Sequence, residues 1–277
     1  MSETRLRVVC FVQNSPPIVY FTNRVGEMFD VALVVIEQPP GRPLRAPKNW
    51  VDLREALWRR AHYRRGRKQR EADFSRLFGS RWRAFECPRV LETDSINSPA
   101  VVEALQQLKP DVAVDHGTSL VRQEVLDLVP LTLNLHWGLS PYYRGVSCTE
   151  WALARRDPFS IGVTIHRISK RIDGGDIVVQ RRATVTAQDT AHSIDCQLSA
   201  LGTDLMLDAV RHLEAGHRLK FHEQDLSVGN LSLGRHASPW FSRHVAWLEN
   251  NGMIEKMLAR PGRPGAEPII EEIKTNP

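Results

Sequence analysis

The chain has 277 residues, and 37 lysines and arginines against 32 aspartates and glutamates give it a formal net charge of +5. The length allows a well-filled core, whereas no apolar run approaches the ~20 residues that a membrane-spanning helix needs. MSETRLRVVC lacks the long apolar region of a secretion signal, and four scattered cysteines without a CxxC pair favour neither a disulfide framework nor a zinc ribbon. We therefore expect a cytoplasmic protein with no membrane partner and no metal site.

Strand and helix patterns alternate from the start of the chain. RLRVVCFV at 5–12 is a short apolar, β-branched run, and NSPP after it has the early prolines that can open a helix. DVALVVIE at 30–37 is a second apolar run, one helix length further on. This spacing predicts a βαβ unit, in which parallel strands are covered on both faces and read as continuous apolar runs.

The segment at about 39–90 interrupts this pattern. It is rich in proline and arginine, and WRRAHYRRGRKQR at 58–70 is far more basic than the rest of the chain. We interpret it as an insertion that is either a basic helical excursion or partly disordered. Its charge favours an anionic ligand, but the solvated face of a helix explains the arginines about as well.

The alternation then resumes through the second half of the chain. SPAVVEALQQLKP at 98–110 predicts a helix, with Ser as the N-cap and Pro at the first helical position. Further strands and helices are predicted in DVAVDHG, VRQEVLDLV, LTLNLHW, TEWALARR, SIGVTIHRI and DIVVQRRATV, followed by a long amphipathic helix that stops near Gly216. The fold class is α/β: a mostly parallel twisted sheet flanked by helices over residues 1–216. A small irregular and helical C-terminal extension at 217–277 ends in the flexible tail RPGRPGAEP.

Asn134 and His136 carry the first signal of chemistry. They are two residues apart in LTLNLHW and should project from the same face, at the carboxyl end of a strand where open parallel sheets bind ligands. Asn can donate a hydrogen bond to a developing oxyanion, and His exchanges protons near neutral pH. Asp173, in RIDGGD, is the candidate carboxylate that orients the His, with Asp176 as its rival. Taken singly, a His at a strand end is more often structural, and DG more often closes a hairpin.

Taken together, these residues resemble a known family. Its signature is Asn-x-His, a loop ending in Pro-x-x-Arg-Gly, a Gly-Val-Thr strand and a Leu/Ile-Asp-x-Gly turn; the chain reads NLH, SPYYRG, GVTIH and IDGGDI. The sequence thus resembles the folate-dependent formyltransferases: the methionyl-tRNA, glycinamide ribonucleotide and sugar N-formyltransferases. The specific match lies in these motifs, and a looser likeness extends over residues 5–216. The resemblance implies a Rossmann-like formyltransferase core.

The resemblance also implies roles for individual residues. Asn134, His136 and Asp173 occupy the family's catalytic positions: an acceptor amine would attack the formyl carbon of 10-formyltetrahydrofolate, Asn134 and His136 would stabilise the oxyanion, and Asp173 would orient His136. No metal is implied. The pterin of the co-substrate would bind to His116, Gly117, Thr118, Ser119 and Leu120 and to the backbone before Asp173, at Ile172.

The sequence departs from the usual family pattern where Trp137 and Gly138 replace Pro-Ser, in the loop that lies near the acceptor. Trp137, Tyr142, Tyr143 and Arg144 are the candidate acceptor-binding residues, although loop aromatics are at least as often packed on the core.

A nucleotide-linked amino sugar is the leading acceptor, because its diphosphate would bind the arginines of 59–70. An amino acid or hydroxylamine of natural-product biosynthesis is the enzyme alternative. A methionyl-tRNA formyltransferase activity is disfavoured because residues after 216 are too few for a second, RNA-binding domain, so no nucleic-acid partner is expected. A homodimer is among the expected assemblies, since dimers are common among the sugar enzymes that the chain resembles.

Two readings fall outside this scheme. The chain can be an inactive homologue that binds folate or RNA, against which the intact Asn134, His136 and Asp173 argue. Cys148 can be a thiol nucleophile, but no partner arrangement is readable around it, and a buried structural thiol is the simpler interpretation.

Overall fold

The computed structural model describes residues 5–40, 49–236, 239–259 and 269–276. A seven-stranded sheet lies at its centre, and two short two-stranded sheets lie at its periphery. The strands are β1 (Arg7–Gln13), β2 (Asp30–Glu37), β3 (Val90–Thr93), β4 (Val112–His116), β5 (Thr132–His136), β6 (Tyr143–Gly145), β7 (Gly162–Arg167), β8 (Ile177–Arg182), β9 (Arg218–Leu219), β10 (Asn230–Ser232) and β11 (Thr275–Asn276).

The central sheet has the order β3-β2-β1-β4-β5-β7-β8. The first five strands are parallel, whereas β7 pairs antiparallel with β5, and β8 pairs antiparallel with β7. The predicted α/β class with a mostly parallel, Rossmann-like sheet is confirmed. The helices are α1 (Pro16–Met28), α2 (Trp50–Phe78), α3 (Pro99–Leu108), α4 (Gln123–Leu126), α5 (Cys148–Ala154), α6 (Ala191–Glu214), α7 (Pro239–Asn250) and α8 (Met253–Leu258).

The continuous apolar runs of the strands reflect burial on both faces. In β1, Cys10 packs in the cluster that includes residues of α1 and α6, and Phe11 packs in the opposite cluster with residues of α3 and α4. Phe11 is fully buried, so truncating it to Ala should cost about 3–5 kcal/mol of stability. A strand between two helix layers has no polar face, which explains why the sequence shows no alternation there.

The predicted insertion contains α2, a helix of 29 residues and about 43 Å. Asn49 caps it by accepting a hydrogen bond from the Asp52 backbone N–H at 2.9 Å. Most of its described side chains are exposed, but Phe78 near its C-terminus stacks on Tyr20 of α1. The helical interpretation of the insertion therefore holds for residues 50–78, while residues 41–48 lie outside the described part of the chain.

The C-terminal extension packs against the central sheet and its helices. Strand β10 pairs in parallel with β6, β11 pairs with β9, and α7 contacts α5 and α2. The predicted tail RPGRPGAEP lies outside the described residues, and the division at residue 216 stays a prediction. Across the described ranges, no helix combines the length and the apolar character needed to cross a membrane.

Candidate active site

A cavity of about 480 Å³ opens at the carboxyl ends of β4 and β5. Its walls come from the end of β4 and the loop after it, from β5, from the start of α5, and from residues 166–173. Its volume lies within the ordinary range for small-molecule sites. The location agrees with the rule that ligands bind outside the carboxyl ends of parallel strands.

Asn134, His136 and Asp173 all line this cavity. Asn134 and His136 project from one face of β5, and the loop after β7 brings Asp173 against both. The carboxylate Oδ2 of Asp173 lies 3.5 Å from Nδ1 of His136, and its Oδ1 lies 3.4 Å from Nδ2 of Asn134. The three side chains predicted to act together therefore meet in space.

Backbone geometry holds Asp173 in this position. Its own φ is +46°, in the left-handed region that Asp tolerates better than most residues. The Gly145 backbone N–H donates to Oδ2 at 2.7 Å, and Gly145 has a φ of +94°. At Gly175 a Cβ would collide with the Arg167 carbonyl oxygen. The glycine at 175 is thus required for close backbone approach, while the positive φ falls on Asp173 itself.

His166 is a site residue that the sequence reasoning did not single out. It lies on β7 directly across from Asn134 and is buried. Because its Nδ1 contacts the Arg167 carbonyl at 2.8 Å, Nδ1 carries the proton, and Nε2 accepts a hydrogen bond from Asn134 Nδ2 at 3.0 Å. His166 therefore fixes which way the Asn134 amide faces; its place in GVTIH, two residues after Thr164, was the available signal.

The ring of His136 is fixed in the same manner. Its Nε2 donates to the Tyr143 carbonyl at 3.0 Å, which leaves Nδ1 unprotonated in the neutral ring and turned toward Asp173. A Cβ at residue 138 would collide with His136 Nε2 and with the Tyr143 carbonyl oxygen. The Gly at 138, where the related family usually has Ser, is therefore what admits this contact.

Burial and neighbouring charges set the protonation of the pair. Burial lowers the pKa of His136, and the proximity of His166 adds to the effect, although the Asp173 charge opposes it. Burial alone would raise the pKa of Asp173, but His136, His166 and the Gly145 N–H lower it, so it lies well below the usual range. At neutral pH the site thus holds a neutral His136 that can accept a proton at Nδ1 and an ionised Asp173 beside it.

The predicted folate-binding residues lie on the wall formed by the loop after β4. His116 to Leu120 and Ile172 line the cavity. His116 Nδ1 donates to the Leu135 carbonyl at 3.0 Å, and its Nε2 has no partner among the described residues. Burial lowers the pKa of His116 to about 4, so this ring is neutral. The ring is therefore a buried and neutral part of the wall.

The predicted acceptor-binding residues are only partly brought together. Trp137 lines the cavity, whereas Tyr142, Tyr143 and Arg144 do not. The Tyr143 hydroxyl donates to Asp157 at 3.0 Å, and Arg144 donates to the Leu226 carbonyl at 3.3 Å. Tyr143 and Arg144 are both buried. The acceptor-binding role of these residues stays a prediction.

Several polar residues of the wall were missed. Asp115 precedes His116 in β4, and its backbone pairs in register with Asn134. Glu150 and Asp195 lie at the α5 and α6 end of the cavity, where Thr149 donates to Asp195 at 2.7 Å. Burial raises the pKa of Asp195 to about 8, with the Glu150 charge adding to the effect. The position of Asp115 at the end of an apolar strand was the one signal in the sequence.

Cys148 and His136 do not form a catalytic thiol–imidazole pair. Its Sγ lies 3.7 Å from His136 Nε2, but that nitrogen already donates to the Tyr143 carbonyl. Burial raises the pKa of the thiol well above its ordinary value, so the reactive thiolate is disfavoured. Throughout the described ranges, no group of three or more His, Cys, Asp or Glu side chains is arranged to hold a metal ion.

Comparison with known proteins identifies the family. Residues 61–210, more than half of the chain, match the model of the formyl transferase family. The chain belongs to this family. Among curated relatives, the methionyl-tRNA formyltransferase of Syntrophus aciditrophicus is 34% identical over 143 residues, which cover 51% of this chain and 45% of the relative. The corresponding enzyme of Akkermansia muciniphila is 29% identical, with coverage of 50% and 44%. The aligned region thus spans less than half of these relatives.

Solved structures share the formyl transferase fold. A 4-N formyltransferase from Francisella tularensis superposes with a TM-score of 0.54 at 18% identity, covering 84% of this chain and 78% of the other. Glycinamide ribonucleotide transformylase 1 from Symbiobacterium toebii gives 0.54 at 20% identity, covering 81% and 96%. HypX from Aquifex aeolicus, in complex with tetrahydrofolic acid, gives 0.52 at 17%, covering 83% and 30%. At these identities the likeness extends to the fold alone.

Proposed function

We propose that this formyl transferase moves the formyl group of 10-formyltetrahydrofolate to a primary amine of a small acceptor, with Asn134, His136 and Asp173 as its catalytic residues. The observation that carries the proposal is the convergence of these three side chains in one cavity of a chain that belongs to the family. A structural role for all three would not require an open cavity between them.

The cavity wall fits a folate co-substrate. The loop at His116 to Leu120 presents backbone groups and the hydroxyls of Thr118 and Ser119, with which a pterin can form hydrogen bonds. When bound, the co-substrate supplies an activated formyl carbonyl. The residues named here would hold it against Asn134.

The protein's own groups then provide two functions. One Asn134 N–H is committed to His166, and the second donates a long hydrogen bond to Asp173, with Nδ2 and Oδ1 3.4 Å apart. This second N–H would donate instead to the formyl oxygen as negative charge develops there. As the amine nitrogen bonds to the formyl carbon, His136 Nδ1 takes up a proton from the amine, and Asp173 at 3.5 Å stabilises the imidazolium that results. The imidazolium would then give this proton to N10 of the folate as the bond between N10 and the formyl carbon breaks, which releases tetrahydrofolate. Because Nε2 already donates to the Tyr143 carbonyl, the ring does not need to turn.

For the acceptor we propose a nucleotide-linked amino sugar, as the motif pattern suggested. Of the described residues that line the cavity, Arg171 is the only arginine or lysine. We therefore assign the acceptor's anionic group to the exposed Arg171 and not to the described arginines of 60–70, which do not line the cavity. Trp137, which does line it, offers an apolar surface for a sugar ring.

The test is release of tetrahydrofolate from 10-formyltetrahydrofolate by the purified full chain, with a panel of acceptors: nucleotide-linked 3- and 4-amino sugars, ornithine derivatives, hydroxylamines and methionine-charged initiator tRNA. Release with an amino sugar alone supports the proposal in full. Release with an amino acid or a hydroxylamine keeps the reaction but overturns the acceptor. No release with any acceptor, together with tetrahydrofolate binding, would support the alternative of an inactive folate-binding homologue.

A second candidate acceptor is methionyl-tRNA, favoured by a different observation. The curated relatives described above are named methionyl-tRNA formyltransferases, and α2 exposes Arg60, Arg64, Arg65, Arg67 and Lys68. A basic exposed helix is suited to phosphate contacts. The same panel distinguishes this candidate from the amino sugar, because tetrahydrofolate would then be released with the charged tRNA. That release would fall steeply as salt increases.

A further inference from the structure

Asp115 is a buried carboxyl group of the cavity wall that has no role in the mechanism proposed above. It is the penultimate residue of β4, it is 4% exposed, and it lines the cavity. Its backbone pairs in register with Asn134 on the neighbouring parallel strand. Because residues in register on parallel strands project from the same face, the Asp115 and Asn134 side chains stand side by side on the cavity wall.

The surroundings of Asp115 favour a neutral carboxyl group. Glu37 on β2 and Asp173 after β7 are the charged groups that act on it from neighbouring elements, and both are carboxylates. His136 and His166 lie beyond Asn134 and face Asp173. Burial, with the Glu37 and Asp173 charges adding to it, raises the pKa of Asp115 to about 8, although the Thr118 hydroxyl lowers it.

One oxygen of this carboxyl group has a partner and the other does not. The Thr118 hydroxyl donates to Oδ2 of Asp115, whereas among the described residues no group donates to Oδ1. Glu37 provides the contrast, because its two oxygens accept the Ile96 N–H and the N–H and hydroxyl of Ser119. Glu37 is therefore a fully satisfied structural carboxylate, and Asp115 has a polar atom to spare at the cavity.

We propose that Asp115 binds the folate co-substrate as a neutral carboxylic acid, donating a hydrogen bond from Oδ1 to an acceptor atom of the ligand beside Asn134. This inference rests on the proposed function, because it takes tetrahydrofolate as the ligand. It makes folate binding depend on pH: the donor is present below the pKa of Asp115, and at higher pH it is replaced by a third carboxylate next to Glu37 and Asp173.

The experiment is calorimetric titration of the purified full chain with tetrahydrofolate, kept reduced, between pH 6.5 and 9.5. The carboxylates of the ligand stay ionised over this range. For binding to the protonated form alone, Kd should rise by up to about tenfold per pH unit above 8. Asp115→Asn keeps a neutral donor and should bind with a Kd that does not change across the range.

Two further variants test whether Asp115 is the group that titrates. Asp195 has a pKa of similar height at the opposite end of the cavity, so Asp195→Asn should retain the pH step. Thr118→Val removes the hydroxyl that lowers the pKa of Asp115 and should move the step to higher pH. A step that disappears in Asp195→Asn and persists in Asp115→Asn would overturn the proposal, and so would a wild-type Kd that is constant with pH.

The failure of the proposed function would be visible separately. Absence of tetrahydrofolate binding at every pH would overturn both the folate-dependent function and this inference, whereas binding without a pH step would overturn this inference alone. The melting temperature of the ligand-free protein provides a second measurement. Because the pKa of Asp115 is raised in the folded state, the wild-type protein loses stability as pH rises toward 8. The melting temperature of Asp115→Asn should therefore exceed that of the wild type by more at pH 8.5 than at pH 6.5.

Discussion

Asn has the size and the backbone preference to replace Asp173, but it lacks the negative charge of the carboxylate. Asp173 accepts the Gly145 N–H through Oδ2 and faces both His136 and His166. An amide at this position would retain the left-handed backbone, since Asn tolerates that region well. It would not carry the charge that stabilises a protonated His136.

Asp173→Asn should therefore lower kcat by about 10²- to 10⁴-fold, the range of general acid–base effects. Asp176→Asn is the matched control, because the backbone carbonyl of Asp176 accepts the Arg167 N–H and its side chain does not line the cavity. It should change kcat by less than about threefold, as a surface substitution would. Steady-state kinetics of both variants decide, and the reverse ranking would identify Asp176 as the orienting acid.

His136 sets the acid limb of the pH dependence. The step requires the neutral ring, so the rate should be constant at neutral pH and fall as pH drops through the pKa of His136. Burial lowers that pKa from its ordinary 6.5, so the fall should occur below pH 6.5. A kcat profile between pH 5 and 7.5 measures it. An acid limb above pH 6.5 would contradict the assignment, as would His136→Ala retaining turnover; that variant should still bind tetrahydrofolate.

At the scale of elements, the C-terminal extension holds the turn that carries Asp173. Gln224 donates to the Asp173 carbonyl at 3.0 Å and to the Gly175 carbonyl. Strand β10 pairs with β6, which contains the Tyr143 carbonyl that accepts from His136. Residues from after 216 therefore hold both sides of the candidate site formed by Asn134, His136 and Asp173.

Gln224→Ala should lower kcat by about 10- to 100-fold, since displacements near 1 Å at a reacting group can cost this much. Gln188→Ala, at an exposed position, is the control and should leave kcat unchanged. The measurement is kcat for both variants alongside their melting temperatures. Equal losses of activity in the two variants, or a normal kcat in Gln224→Ala, would show that the turn holds Asp173 without the hydrogen bonds from Gln224.

At the scale of the whole molecule, helix α2 contacts the rest of the protein near both of its ends. Its C-terminal end is fixed by Phe78 against Tyr20, and Trp58 near its N-terminal end lies under Arg243 of α7 at 4.9 Å. Between these two contacts, the side chains of Arg60, Arg64, Arg65, Arg67 and Lys68 are exposed. These side chains do not line the cavity, and the charged tRNA proposed above as a second candidate acceptor would contact them outside it.

Replacing Arg60, Arg64 and Lys68 together with Gln should therefore leave kcat/KM for a small acceptor within about twofold, the effect expected of exposed side chains. With methionine-charged tRNA as acceptor, the same triple variant should lose activity, and the slope of log activity against log salt should decrease by about 2–3, close to one per cation removed. A loss with the small acceptor would mean that α2 reaches the cavity in the complex.

The sequence by itself determined the α/β alternation, and it predicted a candidate site at the end of β5 with Asn134 and His136 on one face. These features are local: burial on both faces makes a continuous apolar run, and the period of two in a strand places residues 134 and 136 on one face. Asp173 was a candidate because of its Gly-flanked turn, with Asp176 as its rival, and the resemblance to the family implied Asp173. Only the tertiary structure decided that Asp115 stands beside Asn134, that His166 orients the amide, that Gln224 supports the turn, and that Tyr143 faces away from the cavity. These contacts join residues far apart in the chain, and they depend on strand order and register, which no local pattern of residues encodes.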